Sequence, residues 1–110
     1  MSFHRFEPVM EKRLIDDLLA LEGVICASLI SPDGFAIESS GAKNDLSSMV
    51  NLFDLRPQNS MLTTVGENGT LIGIKLDSNH VIAVRCQVSC NLGLIRIELK
   101  KVAKSMYSIL

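Results

Sequence analysis

Apolar residues recur at helical spacing near the start of the chain: Met10, Leu14, Leu18 and Leu21, with Glu11, Lys12, Asp16 and Asp17 between them. Pro8 suits the first helical position, where its missing N–H costs nothing, and Gly23 suits a left-handed stop. The spacing predicts a first helix over residues 8–21. Val24-Ile25-Cys26-Ala27-Ser28-Leu29-Ile30 is then apolar at six of seven positions and too short for a helix. Pro32-Asp33-Gly34 turns the chain into Phe35-Ala36-Ile37-Glu38-Ser39, so the pair reads as a hairpin whose first strand is covered on both faces.

Asn44 or Asp45 then caps a short second helix with Leu46, Met49, Val50 and Phe53 on one side. Leu52 and Leu55 add a second apolar stripe, and Pro57 ends the helix by driving Arg56 out of helical geometry. Three strands follow, about 60–65, 70–76 and 80–86, joined at Asn68-Gly69 and at Asp77-Ser78-Asn79. Asn91 caps a last helix in which Leu92, Ile95, Leu99, Val102, Met106 and Ile109 step by three or four. Lys100, Lys101 and Lys104 fall in its second half, where the helix dipole favours cations.

The order helix, two strands, helix, three strands, helix predicts an α+β fold built on one five-stranded antiparallel sheet. Burial is best satisfied with the first and third helices on one face and the short helix on the other. At 110 residues the chain holds one domain, with residues 1–7 expected as a loose N-terminal arm. Eleven basic against twelve acidic residues give a net charge of −1, without the basic excess that marks nucleic-acid and membrane-surface binders. No uncharged run approaches the ~20 residues of a bilayer helix. Three cysteines are an odd number for a disulfide framework. With no secretory signal in the first residues, free thiols in a reducing cytoplasm are the expectation.

Three segments together resemble the roadblock dynein-light-chain family. They are Leu18-Leu19-Ala20-Leu21-Glu22-Gly23-Val24, Ser31-Pro32-Asp33-Gly34-Phe35-Ala36-Ile37-Glu38-Ser39, and Asn91-Leu92-Gly93-Leu94-Ile95-Arg96-Ile97-Glu98-Leu99. They occur in the family's order, and the likeness spans about residues 8–110. The resemblance implies a profilin-like fold and a homodimer whose second helix and third strand pair with their copies in a ten-stranded sheet. It also implies a non-enzymatic role beside a small Ras-like GTPase, as scaffold or regulator of its nucleotide cycle, or as a light-chain subunit of a larger complex. The second helix, ending at Pro57, is shorter than in many family members.

The residues point to self-association on their own account. Met61, Leu62, Thr63, Thr64 and Val65 carry no charge and no proline, yet the topology sets them at a sheet edge, where proteins normally place blunting devices. The second helix, with Leu46, Met49, Val50 and Phe53, has more apolar surface than one sheet face covers. A second copy across a two-fold axis resolves both features. These nine residues are the expected dimer interface.

Signs of catalysis are weak. Gly66, Gly69 and Gly73 fit neither a P-loop nor a dinucleotide fingerprint. Cys86 and Cys90 lack a second Cys/His pair to complete a metal site. A Cys86–His80 nucleophile pair competes with a small buried thiol on a strand. Asp16 and Asp17 point about 100° apart on a helix, too far to share a proton. Arg85 lies within a strand, and the Lys100, Lys101, Lys104 and Arg96 stripe reads as the wet side of a helix. No cofactor or metal is expected. The alternative to a GTPase partner is a small ligand sensor of the profilin, PAS or GAF kind.

Overall fold

The computed structural model describes residues 6–42, 46–56 and 58–107. The order is α1 (Phe6–Leu19), β1 (Val24–Ile30), β2 (Ala36–Gly41), α2 (Ser48–Leu55), β3 (Met61–Gly66), β4 (Gly69–Lys75), β5 (Val81–Cys86) and α3 (Leu92–Met106). The strands form one antiparallel sheet in the order β2-β1-β5-β4-β3. This is the expected α+β architecture.

Its layers follow from alternation along the strands. On one face Ala27, Leu29, Ile72, Ile82, Val84 and Cys86 meet Ile15 and Leu18 of α1 and Ile95, Leu99, Val102 and Met106 of α3. On the other, Cys26, Ile30, Val81 and Ala83 meet Leu46 and the α2 residues Met49 and Phe53. The first and third helices therefore share a face and α2 covers the opposite one. β5 is buried at every position except Arg85, as its near-continuous apolar sequence demands. Small residues shape the bed for α2. A Cβ on Gly73 would lie 2.5 Å from Met49 Cε and 3.1 Å from Phe53 Cε2, so the bare glycine leaves room for the ends of both side chains.

Several boundaries differ from the expectations. α1 begins at Phe6, so Pro8 lies inside its first turn, Phe6 and Glu7 belong to the helix, and the remainder of the expected arm is outside the described residues. The helix ends at Leu19, short of residue 21, because its last turn tightens, with Leu21 N–H donating to the Leu18 carbonyl at 3.2 Å. Gly23, at φ +91°, supplies the expected left-handed stop. The Asn44 and Asp45 caps fall outside the described residues; the residue preceding α2 is Ser47, whose side chain makes no capping bond. Pro57 and Ile109 are likewise outside them, but Arg56 has left helical geometry at φ −134°. Asn91 caps α3 as expected, its Oδ1 accepting from the Leu94 N–H at 3.1 Å.

The β3–β4 turn sits one residue earlier than expected. Gly66 pairs with Gly69, leaving Glu67 and Asn68 as the two-residue loop. Gly69 instead opens β4 at φ +139°, where a Cβ would lie 2.4 Å from the Cys86 carbonyl oxygen. Among the described residues no helix is long and apolar enough to cross a membrane.

Leucine at position 73 would have to displace the Met49 and Phe53 side chains. The Gly73→Leu variant is expected to lose about 1–3 kcal/mol of unfolding free energy, the usual cost of overpacking, as read by urea denaturation.

Candidate functional site

A five-stranded sheet has two borders, here β2 and β3, and they are finished differently. β2 is closed by its surroundings. Its pairing with β1 is interrupted by an irregularity at Leu29/Ile30. From α1, Lys12 Nζ donates to the Ser39 carbonyl at 3.4 Å, and Ser40 Oγ donates to Asp16 Oδ1 at 2.6 Å. Lys12 and Asp16 are themselves paired at 2.9 Å. A bulge, a lysine and a packed helix are the devices that keep an edge from recruiting another strand.

β3 pairs with β4 in unbroken register from Met61↔Ile74 to Gly66↔Gly69 and contains no charged residue. In a two-residue hairpin the closing pair exchanges both backbone hydrogen bonds, and bonded pairs then alternate. Gly66, Thr64 and Leu62 therefore point their N–H and C=O groups at β4. The Lys75 N–H bonded to the Ser60 carbonyl at 2.8 Å has the same phase. The backbone groups of Met61, Thr63 and Val65 face away from the sheet.

Side chains along this border are incompletely covered. Leu62 and Leu71 are half-buried beside Val50 and Leu52 of α2. Leu55, at the end of α2, is 77% exposed, and Val65 is 70% exposed. On the other face Arg96 Nη2 of α3 donates to Thr63 Oγ1 at 3.0 Å, holding the strand from that side. Near the hairpin a cleft of about 210 Å³ opens between Thr64, Leu71 and Arg85. Arg85 Nη2 donates to the Asn68 carbonyl at 3.4 Å, which ties the guanidinium to the β3–β4 loop.

The nine residues singled out from the sequence divide into three groups. Leu46, Met49 and Phe53 are buried inside the protomer, where they fix α2 to the sheet. Val50, Met61, Leu62 and Thr63 are half-buried, while Thr64 and Val65 are exposed. Two contributors escaped the sequence reading, Leu71 and Arg96. Leu71 was legible in principle, since it stands two residues from Gly73 on the α2-facing side of β4. Arg96 was not, because its contact with Thr63 joins residues 33 apart in sequence.

The catalytic alternatives do not assemble. His80 and Cys86 flank the ends of β5, roughly 20 Å apart at the rise of an extended strand, and His80 Nδ1 is hydrogen-bonded to Ser78 Oγ at 2.8 Å. Burial, reinforced by neighbouring Cys90, pushes the Cys86 thiol up to about 12, so it stays protonated at neutral pH. No cluster of three or more metal-ligating side chains occurs among the described residues.

The chain aligns with the solved roadblock/LC7 domain from Streptomyces avermitilis at a TM-score of 0.78 and 16% identity, over 88% of this chain and 94% of that one. The fold is that of a roadblock domain. Myxococcus xanthus MglB aligns at 0.76 and 19% identity, over 100% of this chain and 97% of that one. LokiProfilin1, solved in complex with rabbit actin, aligns at 0.67 and 15% identity, over 100% and 98%. Neither protein-family models nor curated proteins yield a match to the sequence. At such identities the likeness is one of fold, and within it the roadblock structures superpose more closely than the profilin.

The closure of β2 carries a pH signature. The Ser40 hydroxyl, and after it the Lys12 ammonium, hold the Asp16 carboxyl below the ordinary aspartate range. A carboxyl lowered in the folded state adds stability above its unfolded pKa of about 4, lost as pH falls through the folded-state value. In an NMR titration Asp16 is expected to titrate below that range, and Ser40→Ala to move it upward. The stability difference between wild type and Ser40→Ala is expected to shrink in acid.

Proposed function

We propose that this chain is a non-enzymatic cytoplasmic regulator. It works as a homodimer joined through β3, and the joined sheet and α2 layer receive a small Ras-like GTPase whose nucleotide cycle it modulates. The observation that carries this reading is the unblunted β3 border, set beside half-covered apolar side chains in a roadblock fold. The GTPase follows from the family resemblance of the three sequence segments, and the cytoplasm from three free cysteines.

The register of such a dimer follows from the phase of the ladder. Two copies related by a two-fold axis satisfy every outward group when Thr63 faces its own copy and Met61 faces Val65 of the other. That arrangement covers the exposed Val65 with an apolar neighbour and extends the sheet to ten strands. Leu62 and Leu71 then form the floor over which the two α2 helices meet.

Thr63→Pro removes an outward N–H without touching the bonds to β4, and Leu62→Lys sets a charge at the seam. Each is expected to raise the dimer dissociation constant about tenfold or more, measured by sedimentation equilibrium, with the protomer still folded by circular dichroism. A wild-type chain sedimenting as a single copy at micromolar concentration would refute the dimer. For the partner, co-elution with a Ras-like GTPase from the same cell and an altered rate of GTP hydrolysis are expected. Failure to bind any such GTPase in either nucleotide state would remove that half of the reading.

A further inference from the structure

Cys86 and Cys90 stand on either side of one tight turn. Cys86 is the last residue of β5, fully buried and facing the α1/α3 layer. The chain turns over residues 87–90, with the Cys90 N–H donating to the Gln87 carbonyl at 3.2 Å. Two contacts fix where Cys90 lands. Its Cβ lies 2.7 Å from the place a Cβ would occupy on Gly23, a separation that only glycine allows. Cys86 pairs across the sheet with the next residue, Val24. Both side chains are thus pressed against the same two-residue stretch, and the nearby Cys90 helps push the Cys86 thiol pKa up.

Their exposures differ in a useful way. Cys90 is half-buried and borders a surface recess of about 320 Å³ alongside Glu22, Gln87 and Ser89. Cys86 lies behind it, closed off from solvent. The third cysteine, Cys26, belongs to the cluster on the opposite face of the sheet, under α2. Solution reagents therefore meet Cys90 first, with Cys86 the thiol placed nearby at the other end of the same turn.

We propose that Cys86 and Cys90 are a reversible disulfide site, closed by a hydroperoxide and reopened by a thiol reductant. The Cys90 sulfur attacks the terminal peroxide oxygen and the O–O bond breaks. The sulfenic acid forms, and the thiol proton leaves with the released alcohol, or with water when the oxidant is hydrogen peroxide. The Cys86 sulfur then attacks the Cys90 sulfur, the S–O bond breaks, and the hydroxyl departs as water with the Cys86 proton. Two thiols lose two electrons and the hydroperoxide gains them. The bond ties the end of β5 to the residue before the Asn91 cap, fastening the start of α3 to the sheet.

The test treats the whole protein with a few equivalents of hydrogen peroxide, then alkylates and digests it with trypsin. Cleavage after Arg85 and Arg96 places both cysteines in one peptide, residues 86–96, and Cys26 in another. That peptide is expected unalkylated and two hydrogens lighter, with free thiols falling from three to one and returning after dithiothreitol. Cys90→Ser is expected to abolish the change and Cys26→Ala to leave it intact. Peptide 86–96 alkylated at both cysteines after oxidation would overturn the proposal. So would sulfinic acid on Cys90 beside a reduced Cys86, or a disulfide joining two chains.

Discussion

β5 organises the molecule because it is apolar on both of its faces. A strand with Ile82, Val84 and Cys86 on one side and Val81 and Ala83 on the other leaves neither side of the sheet free to meet water. Two helices therefore cover one face and a third must cover the other. Among the described residues that second duty falls to the connection from β2 to β3, which passes over the sheet as α2 and re-enters at the far border. The burial demand of one central strand thus decides which strand is left at the rim.

That crossing works because the sheet beneath α2 is thin. Gly73 and Ala83 lie side by side in the ladder, and their missing bulk admits Met49 and Phe53. Short as it is, α2 is then held by large side chains that are almost wholly buried. Of its remaining apolar residues, Val50 and Leu52 are half-buried beside β3 and β4, and Leu55 is exposed. Packing inside the protomer and the apolar strip beside β3 are two consequences of one helix having apolar residues on two sides.

Much of this was legible in the sequence, for identifiable reasons. Periodicity located every helix and strand, Asn91 and Gly23 marked a start and a stop, and the lack of charge in β3 singled out its edge. What periodicity cannot report is which distant side chain closes a given edge. Lys12 reaching Ser39, Asp16 holding Ser40 and Arg96 holding Thr63 all join residues at least 24 apart, so no local pattern encodes them. The turn at 67–68 was misplaced by one residue because Asn-Gly is a strong loop signal. Here the glycine is needed for the tight passage beside the Cys86 carbonyl instead.

The unequal finish of the two rims also limits how far any assembly can grow. A sheet with two receptive borders adds copies without end, as fibres do, whereas here β2 carries blunting devices that β3 lacks. In the proposed dimer both β3 rims would be consumed at once, leaving only β2 outermost beside Lys12 and α1. Growth through the sheet would then terminate at that pair, with no separate stop signal required.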